Sequence, residues 1–402
     1  MGLTACSSGN PLAATPRDAA AKVSYASAGD GKADPTKPLE VAVKGGSRIT
    51  DVTATDAAGR YVGGELSADG KSWHSTAALA AGAHYTVRVS TEDSSGHPGR
   101  KVLGFDTTAA GTGLHVAFGP DAGTYGVGQP ITAELSTPVK DRAARAVVES
   151  NLKVTSTPEA GVGSWYWVDD RTLHYRPQSY WPTNAKIEVS SSLDGVRVQD
   201  KLYGAADKPL TLHTGDRIEA LTDAGTDQMT FKDDGKVVRT IPVTTGKPGF
   251  DTRNGIKVVL EKQEFVQMKS ESVGIAAGSS DSYDLPVYWA TRVTWSGEYV
   301  HAAPWSVGSQ GYANVSHGCT GMSTDDAHWF FDHVRQGDIV QVVGSMGETM
   351  APFDNGFGDW NLSWDQWKKG SALGASAAAA QNQTDTADTH VSVPARLRPE
   401  AT

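Results

Sequence analysis

Apolar and polar residues alternate in short runs along the first half of the chain. Leu39-Glu-Val-Ala-Val43, Ile49 to Thr55 and Tyr85-Thr-Val-Arg-Val89 each put an apolar side chain at every second position, the period of a half-buried strand. Gly45-Gly46, Ala58-Gly59, Asp69-Gly70 and Ala81-Gly82 interrupt the pattern every ~11–13 residues, the rhythm of short strands joined by tight turns. The first unit, residues 38–113, ends at Phe105-Asp-Thr107 and a run of small residues from Thr108 to Gly113.

A second unit, residues 114–215, repeats the first faintly. Trp73 is followed by Leu79 and then by Tyr85, Val87 and Val89; Trp167 is followed by Leu173 and then by Ile187 and Val189. Both units close on an apolar-x-Thr ending, Phe105-Asp-Thr107 and Leu212-His-Thr214. The simplest account is two tandem immunoglobulin-like β-sandwiches. Neither unit gathers a catalytic cluster. His74, His84, His115 and His174 are scattered and read as surface or hydrogen-bonded residues.

From Asp216 the strands lengthen. Met229 to Phe231 and Val237 to Val243, joined through Asp233-Asp-Gly-Lys236, predict a hairpin. Ile256 to Leu260 and Phe265 to Met268 predict a second pair, and Val287 to Thr294 and Glu298 to His301 two further strands. Ser323-Thr-Asp-Asp326 is a helix-start signal. The stripe Ala327, Phe330, Phe331 and Val334 that follows has helical spacing. Gly337 stops that helix, and Asp338 to Val343 returns to a strand. Residues 216–345 therefore predict a β-rich domain with one short helix, and the fold class is mainly β. Residues 346–370 form a Trp-rich extension whose Trp360, Trp364 and Trp367 have helical spacing and suit packing on a neighbouring domain. Residues 1–37, rich in Ala, Ser, Gly, Lys and Asp, read as a flexible linker, and the Ala/Gln/Thr tail 371–402 as disordered.

Composition narrows the function classes. Gly (44) and Pro (19) support a turn-rich β architecture, and the net charge of −10 with no Lys/Arg cluster excludes a duplex nucleic-acid binder. Of the two cysteines, Cys6 lies in Leu3-Thr4-Ala5-Cys6, which resembles the bacterial lipobox, where the cysteine is acylated. That resemblance implies an extracytoplasmic protein anchored to the membrane through Cys6 and facing the cell wall. A Cys6–Cys319 disulfide is the alternative. If Cys6 carries lipid, Cys319 is an unpaired thiol in an oxidising compartment and needs a reason to be there.

The reason lies in residues 298–320. Cys319 follows Gly318 and precedes a helix start; His317 is two residues before it and His301 eighteen. A thiol of pKa ~8.5 is mostly protonated at neutral pH, and a nearby imidazole with oriented backbone N–H groups would activate it. Gly318 lets backbone amides approach a developing oxyanion. The chemistry implied is acyl transfer through a thioester. Two other readings stand beside it: Cys319 as a small buried apolar residue, and a zinc site of His301, His317 and Cys319, which lacks a fourth ligand at zinc spacing. A papain-like order, with cysteine before histidine, is excluded.

His301 followed by Ser316-His317-Gly318-Cys319 resembles the H-x(14–17)-[S/T]-H-G-C signature of the YkuD family of L,D-transpeptidases. With Ala303-Pro304-Trp305-Ser306, the helix start at Ser323 and Gly337-Asp338, the chain resembles the multidomain actinobacterial members, anchored proteins with two immunoglobulin-like domains before the catalytic one. The resemblance makes Cys319 the nucleophile and His301 the base, oriented by the backbone carbonyl of Ala302 where the family usually has Ser. His317 and Ser316 would hold the nucleophile loop, and backbone N–H groups around Gly318, Cys319 and Thr320 the oxyanion. Tyr283, Met268, Trp295 and Trp305 fall at substrate-facing positions, and with Ser316 and Thr320 they make up the substrate-binding set the resemblance implies. Gly321 departs from the family's Asn or Arg and implies a shifted donor preference. The resemblance further implies peptidoglycan stem peptides as substrates, 3→3 crosslinking, carbapenem inhibitors, and no metal or organic cofactor. Hydrolysis of the same thioester, an L,D-carboxypeptidase activity, and a catalytically weakened wall-binding module are the alternatives.

Overall fold

The computed structural model describes residues 16–20, 23–25 and 32–374. Cys6 and the tail from residue 375 onward lie outside the described residues. Among the described residues no helix is long and apolar enough to cross a membrane.

The chain divides into two compact units. The first holds the residues up to His115 together with Ser191–Asp207. One of its sheets is built on the antiparallel ladder Arg48–Asp56, His84–Glu92 and Pro98–Thr107. The other joins Val23–Tyr25, Glu40–Val43, Ser72–Ser75 and Gly64–Leu66. The alternation seen in the sequence sends Tyr85, Val87 and Val89 inward, where they meet Leu39, Val41, Trp73, Leu79 and Phe105.

Two readings of the sequence need correction here. The stretch 1–37 is not all linker. Arg17–Asp18 and Lys32–Ala33 run parallel to Pro98–Thr107, and Val23–Tyr25 pairs with Glu40–Val43. These strands are two or three residues long and, among the described residues of the stretch, the buried apolar side chains Ala19, Val23 and Ala33 stand singly, too few for alternation to register. Residues 191–207 belong with the first unit and not within the second sandwich. The hairpin Arg197–Gln199 and Leu202–Gly204 lies beside Gly113–Leu114, and Arg60 donates to the carbonyls of Ser192 at 3.1 Å and Asp194 at 2.9 Å. No shift in composition marks this excursion.

The second unit contains the other sandwich and the β-rich domain. One sandwich sheet is Val116–Gly119, Ile131–Leu135, Thr172–Pro177 and Gly163–Trp167; the other is Thr124–Tyr125, Leu210–Thr214, Lys186–Ser191 and Leu152–Thr157. A nine-residue helix, Arg142–Ser150, is capped by Asp141 and was not legible in the sequence pattern.

In the β-rich domain the elements are β1 (Ile218–Asp223), β2 (Gln228–Asp233), β3 (Lys236–Pro242), β4 (Gly255–Val258), β5 (Glu261–Lys269), β6 (Asp284–Arg292), β7 (Tyr299–Ala302), β8 (Thr320–Met322), α1 (Thr324–His333), β9 (Ile339–Val343) and α2 (Trp364–Lys369). One sheet has the order β3-β2-β1-β9-β4 and the other β5-β6-β7-β8. The core between them includes Met229, Phe231, Ile241, Val300, Met322 and Val340. Ser323 Oγ accepts from the Asp326 N–H at 3.1 Å and starts α1, whose Ala327 and Phe330 enter the same core. The predicted β2–β3 hairpin is present. The predicted pairing of Ile256–Leu260 with Phe265–Met268 is not. β4 pairs with β9 and β5 with β6. The chain changes sheets at a buried corner, where Val259 N bonds the Asp338 carbonyl and Leu260 N that of Arg292.

The three tryptophans do not share a helix. Trp360 sits in a 3₁₀ turn, Asp359–Asn361, and a Ser363/Gln366 capping box then starts α2 with Trp364 and Trp367. They do pack on the neighbouring sandwich. Trp360 Nε1 donates to the Gly128 carbonyl at 2.8 Å and Trp367 Nε1 to that of Ser164 at 2.9 Å. The Arg176 guanidinium stacks on both rings, at 4.7 and 4.6 Å.

Candidate active site

β7 and β8 are parallel neighbours, and their register sets His301 opposite Gly321. The loop between the two strands therefore returns the chain, at Cys319, to the side of His301. A small hydrogen-bond frame holds the end of this loop. Ser316 Oγ donates to the Cys319 carbonyl at 2.6 Å and accepts from the Gly318 N–H at 3.1 Å. Thr252 Oγ1 donates to the Gly318 carbonyl at 2.8 Å, and Ser316 bridges backbone to Thr245 and Lys247. Gly318 has φ +114°, a conformation side-chain-bearing residues rarely adopt. Its N–H, expected to serve an oxyanion, is committed to the Ser316 hydroxyl two residues back in the same turn.

His301 is buried, and its Nδ1 lies 2.8 Å from the Ala302 carbonyl. A carbonyl only accepts, so Nδ1 carries the proton and Nε2 is the basic nitrogen. Burial lowers the pKa of this imidazole, with the Ala302 contact opposing it. Burial also pushes the Cys319 thiol up to about 12, against the backbone N–H of Tyr299, which favours thiolate. The pair therefore rests as neutral thiol and neutral imidazole. Sγ donates to the Gly297 carbonyl at 3.5 Å.

His301 and Cys319 line one cavity of about 280 Å³ with Met268, Tyr283, Leu285, Val287, Trp305, Ser316 and His317. Its apolar wall suits an alkyl-bearing substrate, and Cys319 is half-buried in that wall rather than sealed in a core. A second cavity, of about 490 Å³, lies on the other side of Tyr283 and His317 and is lined by Arg253, Glu298 and Glu348 among others. Among the described residues no three His, Cys, Asp or Glu side chains converge to hold a metal.

The residues 218–342 match the family model described as the L,D-transpeptidase catalytic domain, and residues 30–197 match a bacterial Ig domain. L,D-transpeptidase 2 of Mycobacterium tuberculosis is 34% identical over 348 residues, covering 86% of this chain and 84% of the relative. The chain belongs to the L,D-transpeptidase family. L,D-transpeptidase 1 of the same organism is 40% identical over 219 residues, 54% of this chain and 80% of that protein. A solved structure of an LD transpeptidase in complex with imipenem shares 36% identity, with a TM-score of 0.49, and covers 57% of this chain and 99% of that one.

Within this L,D-transpeptidase fold, two of the expected pocket residues stand apart. Trp295 lines neither cavity; it is half exposed, with the Arg292 guanidinium 5.1 Å from its ring. Thr320 is buried in β8, opposite Val300, and also lines neither. The strand alternation turns its side chain away from the cavity that Cys319 and Gly321 face. Gly321, where the resemblance implies Asn or Arg, is closely surrounded: a Cβ there would lie 2.9 Å from Ala303 Cβ and 3.1 Å from Thr244 Cγ2.

Sequence reading missed the charged groups behind the site. Lys257 Nζ lies 2.6 Å from Glu298 Oε2, and Arg253 reaches Glu298 Oε1 at 3.0 Å. Lys247 pairs with Asp281 at 2.6 Å. A fully buried lysine in an apolar run gives no signal, since its partner lies 41 residues away.

Proposed function

We propose that this chain is a peptidoglycan L,D-transpeptidase that forms 3→3 crosslinks through a thioester on Cys319. The observation that supports it most is the shared cavity of Cys319 and a His301 whose Nδ1 is committed to a backbone carbonyl. In this reading Nε2 takes the thiol proton while Sγ bonds to the carbonyl carbon between the L-centre of diaminopimelate and D-Ala. The Cys319 N–H faces the developing oxyanion. Collapse breaks the C–N bond, and D-Ala leaves with the proton carried by the imidazolium. The diaminopimelate amine of a second stem then attacks the thioester, gives its proton to His301, and the thiol is regenerated. A neutral resting pair suits this sequence, because the proton moves only as the sulfur attacks.

The same reading puts the enzyme outside the cytoplasmic membrane, anchored through a lipid on Cys6, with the sandwiches as a spacer into the wall. Its thiol would also open the β-lactam ring of carbapenems and remain acylated. The test is mass spectrometry of a disaccharide-tetrapeptide donor incubated with the full chain or with Cys319→Ala. A dimer lighter by one D-Ala, formed only by the unaltered protein, is expected. Tripeptide without dimer would make the protein an L,D-carboxypeptidase, and no product at all would leave a wall-binding module.

A further inference from the structure

A carboxylate of the protein itself occupies a pair of nitrogen donors beside the nucleophile. The segment from Ser270 to Tyr283 leaves β5 and returns to β6, its base closed by Ser270 N donating to the Tyr283 carbonyl at 3.0 Å. It forms a lid whose Val273, Ile275 and Tyr283 line the second cavity and whose Tyr283 also lines the first. Its Asp281 Oδ1 accepts from Lys247 Nζ at 2.6 Å and lies 3.6 Å from His317 Nε2. That Nε2 is buried with no hydrogen-bond partner, so His317 is aimed at the carboxylate without being satisfied by it.

The two donors belong to the fixed part of the site. The His317 ring sits between Phe250, edge-on at 4.7 Å, and Tyr283 at 5.2 Å, and the Lys247 ammonium lies 5.2 Å from the Phe250 ring centre. Lys247 N bonds the Ser316 carbonyl at 2.9 Å, which ties this lysine to the loop that presents Cys319. His317 lines both cavities and is two residues from the nucleophile. The acceptor, Asp281, comes from the lid.

An enzyme that cleaves the last peptide bond of a stem must recognise the end of the chain. What marks that end is a carboxylate one residue from the scissile carbonyl, or about 3.8 Å along the chain. We propose that Lys247 and His317 form the subsite for the terminal carboxylate of the donor stem, and that Asp281 fills this subsite while the lid is closed. Two cationic or N–H donors converging on one oxygen pair are the usual means of binding such a group. Substrate entry then exchanges one carboxylate for another, and the lid is released by the ligand it was imitating. The inference rests on the donor-stem reading above.

The experiment compares kcat/KM for a tetrapeptide donor ending in free D-Ala with that for the same stem ending in D-Ala amide. It uses the full chain, Lys247→Met and Asp281→Asn, with iodoacetamide alkylation of Cys319 reporting an intact site in each. The unaltered protein is expected to favour the acid by about tenfold or more, the worth of a charge-assisted contact. Lys247→Met should bring that ratio close to one. Asp281→Asn should keep the ratio and lower KM for the acid. An acid-to-amide ratio that Lys247→Met leaves unmoved would overturn the subsite alone, as would equal use of acid and amide by the unaltered protein. Turnover of neither donor by a protein that still alkylates would overturn the donor-stem reading and the subsite with it.

Discussion

Lys257 and Glu298 form a 2.6 Å ion pair, with side chains only 1% and 8% exposed, beneath the turn that holds the thiol. Glu298 lies between Gly297, whose carbonyl accepts from Sγ, and Tyr299, whose N–H favours the thiolate. Its second oxygen accepts from Arg253 N and Nη1, both at 3.0 Å. The carboxylate thus ties the segment behind Cys319 to β4 and to the loop before it.

Removing one member of this pair leaves the other as an unmatched buried charge. Glu298→Gln is expected to cost about 3–5 kcal/mol, read from urea unfolding midpoints. Lys257→Met should cost less, because Arg253 still faces Glu298. The double variant should recover part of the loss, since neither charge is then stranded. Strictly additive losses would show that the two side chains do not act as a pair.

The thiol and the imidazole are both shifted toward their neutral forms. An ordinary cysteine is half ionised near pH ~8.5. Cys319, pushed up to about 12, should alkylate slowly at neutral pH and keep accelerating to pH 10. Under the proposed mechanism, turnover of the donor would not need preformed thiolate, because His301 would remove the proton during attack. His301→Ala should therefore lower acylation by about 10²–10⁴-fold. An alkylation profile that levels off below pH 7 would mean a preformed ion pair instead.

Much of this organisation was legible in the sequence, and the exceptions have physical causes. Alternation found the strands carrying Tyr85, Val87 and Val89 because one face of each is buried and the other wet. The cap at Ser323 found α1. The spacing of His301, Ser316, His317 and Cys319 picked out four residues that the fold brings to one cavity. Pairing partners were harder. Val259 and Leu260 sit in one apolar run yet bond to different sheets, and periodicity carries no information about a corner. Trp295 shared the family's position but turned toward Arg292. Lys257, Glu298, Lys247 and Asp281 were missed because an ion pair across 34 or 41 residues is a property of the fold.

Gly321 offers a test of how the site tolerates its missing side chain. It is opposite His301 in the β7–β8 ladder and is bridged to Thr244 by backbone bonds in both directions. Since an added Cβ would lie 2.9 Å from Ala303 Cβ, backbone must shift to admit it. Gly321→Ala and Gly321→Asn are both expected to destabilise the protein by about 1–3 kcal/mol and to slow donor acylation by displacing β8. Thermal unfolding and acylation rates measured on the same preparations check this. A Gly321→Asn protein that is as stable and faster would show that the pocket accepts the family's side chain without rearrangement.

Asp338 couples stability to pH. It lies in the turn before β9, where Oδ2 accepts from Arg335 N at 2.7 Å while Oδ1 is buried without a partner. Burial raises its pKa from 3.8 to about 7. A carboxyl held above its unfolded value favours the protonated fold. Below pH 3.8 both states carry the proton and the preference is fully present. As pH rises toward 7 the unfolded chain ionises first, so stability falls, and above that value the loss is complete. At about 1.4 kcal/mol per pKa unit, the loss amounts to roughly 4 kcal/mol. Asp338→Asn keeps the size and removes the titration. The unfolding free energies of the two proteins should therefore converge near pH 4 and separate by pH 8, with the variant the more stable. A difference that stays constant between those limits would mean that Asp338 does not change its protonation on folding.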